Sequence, residues 1–301
     1  MLRKVLLVTL LIALMAACTP QATPTTAPVA TEAPATEAPA DSTTLTFTDG
    51  LGRTVTLDGP AQRIVSIAPS NTEILFAIGA GDQVVGRDEY SDDPEAARSV
   101  ANIGSAFDEL NIEMIVSLQP DLVLAANINA PEQVKALENL DITVYYLNNP
   151  LTLEEMYGNL EIVAQLTGHE AEAAELIESL KERVAAVDEK IASVSSHPSV
   201  FYELDSTDPS KPWTAGKGTF ITLLIERAGG ANIAADLDSY PQMSLEQIVA
   251  ADPEYIILGD SIWGVTPEMV TSRPGWENLS AVKNEKVVPF DDDLVSRPGP
   301  R

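Results

Sequence analysis

The chain has 301 residues, 45% of them hydrophobic and only 5% aromatic, and carries a formal charge of −27 from 45 acidic and 18 basic side chains. Apolar content at that level supports packed cores, and the scarcity of aromatics suits α/β layers. Phosphate binding needs a cationic surface, so nucleic acid is excluded as a partner, and the acidity reads as a solvated exterior.

At the N-terminus, Arg3 and Lys4 precede an apolar run from Val5 to Met15 and then Ala16-Ala17-Cys18. A bilayer-spanning helix needs about 20 apolar residues; this run is shorter and ends in small residues, so 1–17 reads as an export signal. LMAAC resembles the lipobox of bacterial lipoproteins, with Met15 where Leu is commoner, and that implies lipidation of Cys18 as the first mature residue. Loss of Arg3 and Lys4 with the signal takes the charge to −29, and a lone cysteine cannot form an internal disulfide. The Pro-, Thr- and Ala-rich stretch that follows, 18–44, lacks apolar periodicity and is expected to be a disordered tether.

LTFTDGLGRTVTL, Leu45 to Leu57, predicts a hairpin turning at Asp49-Gly50. Strand-like runs follow at Ile64 to Ile67, Val84 to Gly86, Leu122 to Ala125 and Val144 to Leu147, alternating with helical text, a pattern of parallel sheets covered on both faces. Ser70 and Glu73 fit a capping box for the first helix, and Gly79-Ala80-Gly81 its stop. A helix is expected over Leu153 to Leu166. A longer one, Glu170 to Val194, has Ile177, Leu180, Val184, Val187, Ile191 and Val194 on one seam, and its length suits a strut between lobes. The alternation then restarts with a strand at Ser199 to Leu204, helices at Thr219 to Ala228 and Leu245 to Ala250, and strands at Tyr255 to Leu258 and Lys286 to Phe290.

Two segments are repeated. NIEMIVSLQPDLVLA and SLEQIVAADPEYIIL align Glu113 with Glu246, Ile115 with Ile248 and Pro120 with Pro253, all offset by 133 positions. EILFAIGAG and ITLLIERAGG repeat in the same order. Duplicated lobes explain both, and 45–168, 169–196 and 197–301 are expected to be the N-terminal lobe, the linking helix and the C-terminal lobe. The strand ending at Phe290 is followed only by DDDLVSRPGPR, so the second lobe is expected to lack its last helix and to leave apolar surface uncovered.

Together QRIVSIAPSNTEILFAIGAGDQVVG, YSDDPEAA, NIEMIVSLQPDLVLA, WTAGKGTF and AGGANI resemble the substrate-binding lipoproteins of iron-siderophore and cobalamin ABC importers, over roughly Gln62 to Arg301. The resemblance implies two Rossmann-like α/β lobes joined by one long helix, with a metal chelate, corrinoid or ferric siderophore, held in the cleft between them. It also implies an extracytoplasmic, lipid-anchored monomer that needs no cofactor and delivers to a permease. In that family one surface glutamate per lobe pairs with permease arginines, and the matching positions are Glu113 and Glu246. Each also falls in a first helical turn, where the helix dipole alone stabilises a carboxylate by about 0.3–1 kcal/mol.

Ligands of such folds sit beyond strand ends, which selects Tyr90, Phe107, Trp213, Tyr240 and Trp263 as aromatic candidates. Tyr90, Phe107, Tyr240 and Arg297 match cleft positions of the cobalamin-binding members. Arg87, Lys217 and Arg297 are the cationic candidates against Asp291 to Asp293; so few cations favour a nearly neutral corrinoid or a hydroxamate over an anionic catecholate. AGKGT lacks the P-loop spacing and reads as a helix start. A receptor for free zinc or manganese would need several imidazole or carboxylate ligands converging from both lobes, and the two histidines, His169 and His197, flank opposite ends of the long helix. An enzyme is the other alternative, but the chain has neither a G-x-S-x-G elbow nor an H-E-x-x-H motif.

Overall fold

A computed structural model describes residues 44–301. The expected export signal, Cys18 and nearly all of the tether lie outside the described residues. Strands β1 (Leu45–Thr48) and β2 (Thr54–Leu57) pair antiparallel with Leu45 opposite Leu57. The hairpin docks on the first lobe: Phe47 meets Tyr145 edge-on at 6.2 Å and the Gly50 amide donates to the Tyr146 carbonyl at 2.8 Å.

Its turn is closed by Asp49, whose carboxylate accepts from the amides of Leu51 at 3.0 Å and Arg53 at 2.9 Å and from Arg53 Nε at 3.0 Å. Burial pushes this carboxyl up, but Arg53 and the amides outweigh it and hold Asp49 below the usual carboxylate range. A depressed acid stabilises the fold above its unfolded pKa and loses that contribution as pH falls. Asp49→Asn is therefore expected to cost about 2 kcal/mol at pH 7 and much less near pH 3; urea unfolding at both values checks the sign.

The first sheet is built from β3 (Ile64–Ser66), β4 (Val84–Arg87), β5 (Ala101–Asn102), β6 (Leu122–Ala126) and β7 (Val144–Leu147), parallel throughout in the order β5-β4-β3-β6-β7. Ile64, Leu122 and Leu124 enter one apolar cluster and Val65, Val123 and Ala125 another, one on each face. That two-sided burial explains why β6 reads as a continuous apolar run. The covering helices are α1 (Pro69–Ala77), α2 (Ile112–Ser117), α3 (Pro131–Glu138) and α4 (Leu153–Thr167).

Helix α5 (Glu170–Ala192) leads to the second sheet: β8 (Ser199–Glu203), β9 (Ala231–Asn232), β10 (Tyr255–Leu258) and β11 (Val287–Pro289), also parallel, in the order β11-β10-β8-β9. Helices α6 (Phe220–Arg227), α7 (Leu245–Ala251), α8 (Pro267–Thr271), α9 (Ser280–Lys283) and α10 (Asp293–Ser296) complete it. Phe290 and Val295 pack against Val200 and Tyr202, whereas Val288 and Leu294 stay exposed.

The duplicated segment is duplicated in backbone as well. α2 and α7 each run through a residue at positive φ, Gln119 at 48° and Asp252 at 43°, then a proline, then a buried strand. A left-handed residue before Pro turns the chain sharply from helix to sheet, and Pro cannot continue the helix.

Two expectations need correction. The first helix has no Ser70–Glu73 capping box: Ala68 is its N-cap without a side-chain bond, and Pro69, well suited to the first helical position, moves the start upstream. Glu73 thus falls in the second turn and is buried against arginines. The α5 seam is buried only in its first half, where Ile177 and Leu180 meet α4; Val187 and Val194 are 41% and 44% exposed. Its far half touches the second lobe through Ile191 at Gly229 and an Arg227–Asp188 pair at 2.6 and 3.0 Å.

Candidate functional site

In each sheet the chain reverses its winding between two central strands, β3 and β6 in the first lobe, β8 and β10 in the second, and the loops beyond their C-terminal ends are where such folds bind ligands. A cavity of about 630 Å³ lies there, lined from the first lobe by Pro69, Ser70, Tyr90, Phe107 and Ile128 and from the second by Ile262, Trp263 and Arg297. It adjoins a second cavity of about 700 Å³ that takes in Tyr240, Thr219 and Asn127, the two sharing Asn149, Ser296 and Pro298. The structure thus brings Tyr90, Phe107, Trp263 and Arg297 together and puts Tyr240 next door. Trp213 lines neither cavity; its backbone bridges Asp205 and Gln242, and its ring is partly exposed.

The aromatic walls are open. Phe107 is 65% and Trp263 76% exposed, and Tyr90 supports Phe107 edge-on at 5.4 Å. Exposed rings facing a cavity from two lobes cost apolar hydration, which a flat apolar body between them would relieve. At Thr219, the N-cap of α6, the preceding Gly216 is required because a Cβ there would lie 2.1 Å from the Leu237 carbonyl.

Arg297 is not a free cation. Its guanidinium meets Asp92 at 2.9 Å and Glu73 at 3.3 Å on the first lobe and Asp293 at 2.7 Å on its own. Arg301 adds bonds of 2.7 and 2.8 Å to Glu73. Burial pushes the Glu73 carboxyl up against the pull of both arginines; burial also opposes Asp92, yet Arg297 holds it below the usual range. With Asp92, Asp292 and Asp293 on its wall, the cleft is acidic. Glu73 and Arg301 were missed in the sequence: Glu73 mimicked a helix cap, and its partners lie more than 200 positions away.

Glu113 and Glu246 are exposed on the first turns of α2 and α7. Asn111 caps the first helix by accepting from the Met114 amide at 2.9 Å, and Ser244 and Gln247 form a capping box on the second. Its own backbone amide and the Ser244 hydroxyl hold the Glu246 carboxyl below its ordinary value. His169 precedes α5, and beyond it His197 Nδ1 donates to the Gly229 carbonyl at 3.0 Å. Among the described residues no group of three or more His, Cys, Asp or Glu is placed to hold a metal ion.

The family model described as periplasmic binding protein matches residues 64–294, spanning both sheets and the helix between them. The chain belongs to this family. As a periplasmic binding protein it is 36% identical over 262 residues to YvrC of Bacillus subtilis, an uncharacterized ABC transporter substrate-binding lipoprotein, covering 85% of this chain and 81% of the relative. It is 32% identical over 284 residues to a cobalamin-binding protein of Halobacterium salinarum, covering 91% and 76%. In three dimensions it is similar to the periplasmic vitamin B12-binding protein BtuF of Vibrio cholerae, with a TM-score of 0.68 and 30% identity over 80% of this chain and 92% of that one. The periplasmic binding protein fold accounts for the two α/β lobes and for the position of the cleft between strand ends.

Proposed function

We propose that this periplasmic binding protein is the extracytoplasmic receptor of an ABC importer, that it binds a corrinoid in the cleft without converting it, and that it passes the cargo to the permease. The observation that carries the reading is the pairing of open aromatic walls, Tyr90 with Phe107 and opposite them Trp263, with a cleft cation already neutralised by three carboxylates. Such a site favours a broad, nearly neutral chelate and repels polyanions. Its likeness to cobalamin and vitamin B12 binders supports the same choice. In this reading Glu113 and Glu246 dock the two lobes on a two-fold permease, Tyr240 extends the ligand wall, and Cys18 is the lipid anchor.

Titration of the purified receptor with cyanocobalamin is expected to give saturable binding with unchanged ligand, and a ferric tris-catecholate is expected not to compete. Turnover of the corrinoid, or preference for the catecholate, would refute the proposal. Phe107→Ala together with Trp263→Ala is expected to weaken binding at least about thirtyfold, the ~2 kcal/mol of an aromatic anchor, with no loss of thermal stability because both rings are exposed.

A further inference from the structure

Behind Trp263 lies another cavity, of about 620 Å³, wholly within the second lobe. It opens between the loops that follow β8 and β10, the place where that sheet reverses its winding, and Trp263 stands in its wall as well as in that of the main cleft. The two lobes treat this position differently. In the first, Asn129 ties the loops together with both ends of its amide used: it accepts from the Ala126 amide at 2.8 Å and donates to the Ile67 carbonyl at 2.9 Å.

In the second, Asp260 makes the tie. Its Oδ2 accepts from the Ser206 amide at 3.1 Å and hydroxyl at 2.5 Å, but its Oδ1 has no partner among the described residues although the residue is only 4% exposed. A carboxylate accepts only, so the group missing from Oδ1 is a donor, and leaving it missing carries a desolvation penalty. The neighbouring cation does not supply it: the Arg273 guanidinium bonds Glu203 at 2.5 and 2.9 Å and the Ser206 hydroxyl at 2.9 Å, and Asp260 Oδ1 stays without a partner among the described residues. Asp205 adds a second negative charge to the wall, while Met269 and Trp263 make the mouth apolar.

We infer that this pocket is an arm-binding subsite: it takes a peripheral N–H-bearing group, a primary carboxamide, from the chelate held in the main cleft and hydrogen-bonds it to Asp260. The inference rests on the corrinoid reading above. Trp263 stands in the walls of both cavities and its ring is largely exposed; in this proposal the arm passes that ring from the cleft into the pocket, whose charge disfavours a carboxylate-tipped arm of the same length.

The test compares cyanocobalamin with its three propionamide monoacids, each with one carboxamide hydrolysed, by calorimetric titration of the wild type, Asp260→Asn and Met269→Trp. At least one monoacid is expected to bind the wild type about tenfold or more weakly than cyanocobalamin, because its carboxylate would face Asp260. Asp260→Asn, which can still accept from Ser206, is expected to bring that ratio below about threefold. Met269→Trp alters a half-exposed side chain at the pocket wall, so it tests the subsite should Asp260→Asn fail to fold; it is expected to weaken cyanocobalamin and to abolish the ratio by shutting the arm out. Tight cyanocobalamin binding with monoacid ratios near one, or with ratios that neither variant changes, would overturn the subsite alone. No binding of cyanocobalamin by the wild type would instead overturn the corrinoid reading, and the subsite with it.

Discussion

Reversing both of the charges proposed to dock the permease, Glu113→Arg with Glu246→Arg, is expected to abolish corrinoid import in a reconstituted transporter while leaving corrinoid binding within about twofold of wild type. Each glutamate is exposed on a capped first turn, so the substitution removes no buried contact. An exposed ion pair is worth only about 0.2–1 kcal/mol, so Glu→Ala at both positions is expected to reduce import roughly 2- to 30-fold. Reversal does more because it sets like charges face to face, which costs several kcal/mol and slows encounter. Raised ionic strength should slow the wild type and partly relieve the reversal variant. Unchanged import by the reversal variant would show that the contact lies elsewhere.

Arg273→Leu is expected to destabilise the fold by about 3–5 kcal/mol, the largest single effect on stability. Its partner Glu203 has a fully buried side chain, and Arg273 itself is nearly buried, stacked over Trp276 at 4.8 Å. Removing the guanidinium strands a charge at the end of β8 inside the second lobe. Burial already pushes the Glu203 carboxyl up, against the pull of Arg273. Without Arg273 that shift grows, and an acid raised in the folded state loses stability as pH rises through its folded pKa. The deficit is thus expected to shrink toward about pH 4–5. Glu203→Gln in the same chain should recover most of it at neutral pH. Urea unfolding of the three proteins decides the matter, and an equal deficit at both pH values would refute the account.

These two experiments probe features that differ in how far they could be read from the chain. The repeat around Glu113 and Glu246 was legible because helix, proline and strand follow one another locally, and the left-handed turns at Gln119 and Asp252 show the repeat to be geometric. Strand runs were legible because burial on both faces leaves no polar alternation to confuse them. The Glu203–Arg273 pair was not legible, since nothing local distinguishes a glutamate that ends a strand from one in solvent; its partner lies 70 positions on. Glu73 misled for a related reason: the spacing from Ser70 fits a cap, but Pro69 fits the first helical position better. Trp213 looked like Trp263 in its place after a strand, yet it lines neither of the two cleft cavities.

The left-handed turns before Pro120 and Pro253 have a consequence for how such a receptor changes its cargo. The helices that carry the two glutamates are fixed by their own caps and by these turns, and none of those bonds involves a residue that lines the cleft. Under the docking role proposed for these glutamates, mutations that refit the interior to a different guest leave the delivery address untouched, so selectivity and destination evolve independently.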